Sequence, residues 1–503
     1  MDPGVVPLVL FVLLGIGGVV ILFRDDPMFA GRRATFVMTG LAVAALLTPM
    51  QLAPFRSDVS IVHWSEFYHY LLATRYFHEV GYSGLYDATV VADHEDDPEH
   101  WNGDLEVRSL RTYDLVPRST VLERAGTIRA PFTPERWEAF KRDVAVFRAA
   151  LGDEWRASRF QVDHGYNGSP LTTLLLGTLS RLPFLDTRSF ILAAAWGDTV
   201  LMIATALLVA RWVGAWEGAL LLFVWAVNPF NDFQTIGGAY LRYPHFVALL
   251  VMAFAWARGR LTAAGGALAV ATALRVYPLF LAIGLAAQAL LSPRRSELLP
   301  RAMRCLAAFA VVLVALALLT SYQPSPDGTN PWAPYAAKLR LHAHQLSYNV
   351  VSFQYLFFYA ESRNAAAIAQ SWQEGRNLNW VIEATKAFAA HQGGYLIAIG
   401  AALAALAVAL RRSGPEEGLF TGLVLVFLLQ HLSHYDWFVL SIVPFLFPGC
   451  RRAALALFLL FMLACLVPFL PAAAAIVDFR FYLLSLLMTV WMAATIALRM
   501  RPT

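Results

Sequence analysis

Charged residues are scarce in this chain of 503 residues: 15% are Asp, Glu, Lys or Arg, and 58% are hydrophobic. A soluble protein of this size carries about a quarter charged residues. The apolar residues also come in blocks close to the ~20 residues that cross a hydrocarbon core. The composition therefore excludes an ordinary soluble protein and predicts an all-α polytopic membrane protein.

Cysteine is scarcer still, and Cys305, Cys450 and Cys465 all fall in or beside apolar blocks. The long loops therefore hold no disulfide framework. The net charge is only +4 and the arginines lie in short clusters, which indicates no nucleic-acid partner. The first residues, MDPGVVPLVL, lack the basic start of a signal peptide, so residues 4–23 are interpreted as a retained span.

Arginine clusters follow alternate apolar blocks, which sets the orientation by the positive-inside rule: N-terminus outside, C-terminus cytoplasmic. We expect a multi-pass protein of the plasma (inner) membrane with about 11–13 spans, and a break of segment 262–291 near Arg275 and Pro278. The predicted spans are 4–23, 34–54, 189–210, 214–229, 239–257, 262–274, 276–291, 305–321, 394–410, 417–432, 437–449, 453–470 and 481–498.

These spans divide the chain into a transmembrane hairpin (1–54), a large outer loop (55–188), a transmembrane core (189–321), a second outer loop (322–393) and C-terminal spans (394–503). The first loop is too long for a simple connector and should hold structure of its own. We expect a helix over 63–80 ended by Gly81. We expect another over 134–150, with Thr133 as its cap and Pro134 at its first position.

All twelve histidines lie on or near the predicted outer side, so titratable chemistry is expected there. In HWSEFYHYLL (63–72), helical spacing places Glu66 beside His63, His69 and Tyr70, and Asp58 lies upstream. An acid against a histidine at a bilayer surface suits a general base. An interfacial helix with ordinary polar groups is the equally weighted alternative, and a metal shared by His63, Glu66 and His69 is a weaker one.

Further polar groups gather in three other segments. Arg242 and Arg275 lie at the outer edge, where a guanidinium is usually paired with an anion. A phosphate is the favoured partner of Arg275, and for Arg242 a phosphate and a salt bridge to Asp232 or another loop acid both remain open. Asp198, in AAAWGDTVL, is a costly mid-span acid with no identified partner. The remaining candidates, expected to orient a substrate, are Asp163, His164, Tyr166, Asn167, His344, Asn349, His434 and Asp436, together with His69.

An acid-bearing helix after an early span, a long loop closed by a Pro-led apolar helix and an Arg-x-Tyr-Pro series resemble the GT-C glycosyltransferases. The similarity is to bacterial polyprenyl-phosphate-sugar-dependent mannosyl- and arabinosyltransferases and covers about residues 55–445. It implies that Glu66, followed by Gly84-Leu85-Tyr86, or else Asp58, is the catalytic base. It also implies that Arg275, in RVYPLF, meets the lipid phosphate. The family usually has aspartate where Glu66 stands, and HGYNGSP departs from its YxYPP-like segment.

The resemblance implies an inverting transferase that moves a sugar from a polyprenyl-phosphate donor to an acceptor hydroxyl on a glycan, lipid or protein. No cofactor is required, although a divalent metal is possible. Two alternatives remain open: a polymerase or ligase acting on lipid-diphosphate glycans, and a transporter, against which the absence of an internal repeat argues. The enzyme hypothesis expects Glu66, Asp163 and Arg275 to converge on one outward cavity.

Overall fold

The computed structural model describes residues 5–26, 31–48, 62–98, 105–156, 159–182, 185–231, 237–326, 328–343, 346–347, 349–359, 378–412, 417–447, 450–475 and 477–499. Within these ranges the chain is almost entirely helical, with two small antiparallel strand pairs. One pair joins Glu106–Arg108 to Leu115–Pro117, and the other joins Val350–Val351 to Leu432–Ser433. The predicted all-α class is confirmed.

Six of the described helices are long and apolar enough to cross a membrane. Two of them, Arg295–Ser321 and Ala384–Leu410, bury only 17% of their most apolar window inside the protein. Aliphatic side chains such as Leu318 (58% exposed) and Ile397 (76% exposed) would face water in a soluble protein. Such a surface suits hydrocarbon, as expected for a multi-pass membrane protein.

Most of the apolar helices pack into one core, whereas Thr187–Ala194 buries Phe190 and Ile191 against the long loop. Their bounds are Val5–Leu22, Arg32–Leu46, Thr187–Ala194, Gly197–Trp212, Ala215–Ala226, Pro244–Ala257, Leu261–Leu274, Leu279–Leu291, Arg295–Ser321, Leu378–Leu410, Glu417–Leu429, Arg451–Leu466 and Val477–Arg499. Glycines set the closest approach: a Cβ on Gly284 would lie 2.3 Å from the backbone oxygen of Gly418. Gly418 and Gly422 form a small-xxx-small face of the kind that brings helices together in membranes.

The predicted spans differ from these helices at two places that matter below. Segment 239–257 becomes a helix only at Pro244, which leaves residues 239–243 as an irregular approach. Segment 437–449 was predicted as a span but is a 3₁₀ helix, His434–Ile442, followed by Val443–Leu446. The predicted break is confirmed, since one helix ends at Leu274 and the next begins at Leu279.

The long loop does have its own core, built on aromatic side chains such as Trp137 and Trp155. Its elements are Trp64–Phe67, a π-helix Tyr68–Leu72, Ala73–Arg75, Phe77–Val80, Leu85–Asp96, Arg118–Leu122, Ala125–Arg129, Pro134–Leu151, Asp153–Arg156, the 3₁₀ helix Arg159–Val162 and Pro170–Leu179. Thr133 caps its helix as predicted, because its side chain accepts the N–H of Arg136 at 3.3 Å.

The helical run predicted over 63–80 is also found, and Gly81 follows it at φ +54°. Shorter elements outside the long loop are Trp332–Ala343, Tyr355–Phe358, the 3₁₀ helix Val467–Phe469 and Pro471–Ala475.

Candidate functional site

Glu66 lies where the long loop meets the membrane helices. It sits in the short helix Trp64–Phe67, where the Nδ1 atom of His63 accepts its backbone N–H at 3.0 Å. The N–H of His63 is in turn donated to the carbonyl of Gly238 at 3.1 Å. That bond ties the acid-bearing helix to the irregular segment that leads to Arg242.

Glu66 and Arg242 form a buried ion pair. The Nη2 of Arg242 donates to the Oε2 of Glu66 at 2.8 Å, and the two side chains are only 10% and 8% exposed. The guanidinium also lies over the ring of Tyr435, 4.7 Å from its centroid. The second carboxylate oxygen, Oε1, is buried and has no hydrogen-bond partner among the described residues. It therefore remains available to a substrate.

Arg275, the second arginine of the site, differs from Arg242 in its contacts. It is the residue at which helix Leu261–Leu274 ends, and its backbone is extended. Among the described residues, its guanidinium makes neither an ion pair nor a side-chain hydrogen bond. One arginine of the site is thus already paired, and the other is half-buried and available to an anion.

Both arginines and Glu66 line one cavity of about 350 Å³, counting the open solvent at its mouth. Its wall carries both polar and apolar side chains. The polar side chains are Glu66, Tyr70, Thr172, Arg242, His245 and Arg275, and the apolar wall includes Leu175, Leu176, Leu241 and Leu274. The cavity therefore offers one carboxylate, two cations and an aliphatic side.

Two opposing effects set the charge of Glu66. Burial raises its pKa, but the charge of Arg242, with smaller contributions from His63 and Arg275 and the hydrogen bond from Arg242, outweighs this, so the pKa lies below its ordinary value. Glu66 is consequently a carboxylate at neutral pH.

Several predicted residues lie beside the cavity rather than in its wall. Asn167 accepts a hydrogen bond from the hydroxyl of Tyr70, and Tyr166 is buried with its hydroxyl 2.8 Å from that of Thr173. His69 turns away, with its Nε2 2.8 Å from the hydroxyl of Tyr86 and 3.1 Å from the carbonyl of Phe160.

Asp163 forms a separate group with two histidines. Its carboxylate lies 3.9 Å from His69 and 3.4 Å from His164, and its side chain is 57% exposed. Glu66 and Arg275 thus meet as expected, but Asp163 is not part of the cavity wall.

The candidate residues from the C-terminal part of the chain also lie in different places. Asp436 lies within electrostatic range of Arg242 and Arg275. Asn349 and His434 instead close the small strand pair, where the N–H of His434 reaches the carbonyl of Asn349 at 2.7 Å. Asp58, His344 and Asp232 fall outside the described residues.

Sequence reasoning found Glu66, Arg242 and Arg275 but missed other residues of the cavity wall. Tyr70 was noticed only as a neighbour of Glu66, yet it belongs to a π-helix, an element that is rare and frequent at functional sites. His245 lines the cavity with its Nε2 2.9 Å from the hydroxyl of Tyr277. The Arg-Tyr-Pro segment that carries Arg242 was the one available signal for His245, which follows it directly.

Within the described residues, no group of three or more His, Cys, Asp or Glu side chains is arranged to hold a metal ion. The fold and the cavity define a helical, multi-pass membrane protein with a charged pocket where its long loop meets the apolar helices. No family model, curated protein or solved structure matches the chain, so the resemblance to the GT-C glycosyltransferases has no family-level support.

Proposed function

We propose that the protein is an inverting glycosyltransferase that uses a sugar linked to a polyprenyl phosphate. The proposal rests on two groups of one cavity: a carboxylate of which one oxygen has no hydrogen-bond partner, and a guanidinium without an ion pair, both within the part of the chain that the structure describes. Transfer of a sugar from a phosphate needs both groups: one accepts a proton from the incoming hydroxyl, and the other stabilises the departing phosphate.

In the proposed step, Oε1 of Glu66 takes the proton of an acceptor hydroxyl as the hydroxyl oxygen bonds to the anomeric carbon. The bond from that carbon to the phosphate oxygen breaks, and the phosphate leaves with the electron pair beside Arg275. Attack from the face opposite the leaving group inverts the anomeric centre. Because the transition state resembles an oxocarbenium ion, the hydroxyl turns acidic as its bond forms, so a carboxylate of low pKa is a sufficient base.

The aliphatic wall supports a lipid-linked donor. Leu175 and Leu176 belong to the Pro-led helix Pro170–Leu179, and Leu274 ends the helix before Arg275. An isoprenoid chain could lie along these side chains while its phosphate reaches the guanidinium. The adjacent apolar surface excludes water from the charges, which strengthens their interaction with the phosphate.

Purified protein incubated with a panel of polyprenyl-phosphate sugars and lipid-diphosphate glycans, together with an extract of membrane glycans and lipids as acceptors, tests the proposal by mass-spectrometric detection of released polyprenyl phosphate. We expect one donor to be consumed by the wild type, and Glu66→Gln to lose about 10²–10⁴-fold in rate. Arg275→Gln should mainly raise the donor KM.

The matched control is Glu79→Gln. The side chain of Glu79 is buried and pairs with the partly exposed Arg136 at 2.6 Å in the same loop, away from the cavity wall. The Glu79→Gln variant should keep its transfer activity.

Consumption of lipid-diphosphate glycans alone would favour a polymerase or ligase. Full activity of Glu66→Gln would overturn the assignment of Glu66 as the base.

A further inference from the structure

The backbone just before Arg242 adopts a conformation that needs support. Leu241 has φ +53°, in the left-handed region that residues with a Cβ seldom occupy. The regular helix begins only at Pro244. Left to itself, this turn would relax, and the direction in which Arg242 points would not be fixed.

Asp198 supplies the support from a different helix. Its carboxylate is 7% exposed and accepts two backbone N–H groups, that of Arg242 at 2.7 Å and that of Tyr243 at 3.0 Å. A buried acid in a membrane helix is costly and is retained where it has a function. Here it binds the two donors that precede the helix, a task usually performed by a neighbouring cap residue.

Gly197 also makes room for the turn at Leu241. A Cβ at this position would lie 2.9 Å from the Cδ2 of Leu241, so the absence of a side chain gives the strained turn room beside Asp198. Two consecutive residues of helix Gly197–Trp212 thus hold the turn by contact and by hydrogen bonds.

We propose that Asp198 is a positioning residue: through the backbone of Arg242 and Tyr243 it fixes the guanidinium of Arg242 against Glu66 and leaves Arg275 alone to bind the anion. The geometry stands without the proposed function, and only the kinetic readout below rests on it. Glu66 faces the guanidinium cations of Arg242 and Arg275 and the imidazole of His63, and it interacts with Tyr70, Tyr435 and Asp198.

Asp198→Asn is the test variant, because its side chain keeps the shape but can accept only one of the two N–H groups. Hydrogen exchange of the peptide covering 240–245 should accelerate. Labelling of Glu66 by a hydrophobic carbodiimide, which reacts with protonated buried carboxyls, should begin at a higher pH. We expect an upward shift of about one unit or more, because a displaced opposite charge moves a carboxyl pKa by about 1–3 units.

The sign of that shift separates positioning from a simple charge effect. Replacing Asp198 by a neutral residue without moving Arg242 would leave the pKa of Glu66 unchanged or lower it, because two nearby carboxylates disfavour each other. An upward shift therefore requires that Arg242 has moved. Arg242→Gln should shift the labelling similarly, and the double variant should shift it no further.

Asp186→Asn is the matched control, since Asp186 also accepts a backbone N–H, that of Ser189 at 3.0 Å, but on an exposed helix cap. It should leave both readouts unchanged. In the transferase assay, the acidic limb of the pH–rate profile should move upward for Asp198→Asn. If exchange and labelling respond but no donor is consumed by any variant, positioning stands and the proposed function fails. Unchanged or downward labelling in Asp198→Asn overturns the positioning role.

Discussion

Replacing Arg242 by methionine should destabilise the protein far more than the same change at Arg275. Arg242→Met leaves the carboxylate of Glu66, 8% exposed, without its cation in the cavity wall. Removing one partner of a buried ion pair costs about 3–5 kcal/mol, because the remaining charge stays desolvated. Loss of the stacking on Tyr435 adds about 0.5–2 kcal/mol. Arg275, which has no ion pair among the described residues, should lose little or gain.

The cost should depend on pH with a definite sign. In the wild type the pKa of Glu66 is lowered, so the pair contributes stability above the unfolded pKa of ~4.3, and that contribution is lost as pH falls. In Arg242→Met, burial raises the pKa of Glu66 instead, so protonation of Glu66 stabilises the variant. The gap between the two proteins should therefore widen as pH rises from about 4.3 to 7.

Thermal unfolding in detergent at pH 5 and pH 7 measures this gap. The double variant Glu66→Gln with Arg242→Met should recover most of the loss, because replacing both partners of a buried pair is often nearly neutral. The remaining deficit should match the lost contact with Tyr435. A single Arg242→Met variant as stable as the wild type at pH 7, or a double variant no better than the single one, would refute the ion pair as described.

Three further predictions concern the frame around the site. Gly422→Ala should lower the free energy of unfolding in detergent by about 1–3 kcal/mol, because the new Cβ would lie 2.3 Å from the Cα of Leu281. Gly400→Ala is the control: its Cβ would meet open space, so the free energy of unfolding should stay the same or rise by up to ~1 kcal/mol. Asp143→Ala should lower the melting temperature and increase proteolysis of the long loop, because Asp143 accepts from Arg75 at 2.9 Å, Tyr76 at 2.8 Å and Thr187 at 2.5 Å. Burial lowers the pKa of Lys338 to about 7, which means that the charged amine destabilises the folded protein. Lys338→Met should therefore raise the melting temperature most below pH 7 and progressively less towards pH 10, and a gain that grows with pH would contradict this.

The sequence predicted what depends on local pattern. Apolar blocks, the cap formed by Thr133 and Pro134, and the break after Leu274 each follow from neighbouring residues, and all are found. Segment 437–449 was misassigned as a span because an apolar stretch of that length does not distinguish a 3₁₀ helix from an α-helix.

The pairing within the site could not be predicted in the same way. Glu66 and Arg242 are 176 residues apart, and no local pattern indicates which acid an arginine will meet. Asp198 was noted as an energetically costly buried acid, but its partners are backbone N–H groups. Every residue except proline has such a group, so the sequence does not indicate which ones Asp198 binds.

Proline explains why both arginines reach the cavity at all. Arg242 stands two residues before Pro244, and Arg275 three before Pro278. A proline has no N–H to donate and is tolerated only at the start of a helix, so one apolar helix begins at Pro244 and the other directly after Pro278, and the approach to each is irregular. On such a segment the guanidinium projects at the end of a helix rather than from its lipid-facing side, which avoids the cost of a charge in hydrocarbon. The same break exposes backbone donors that must be bound, and at Arg242 this requirement explains the buried acid at Asp198.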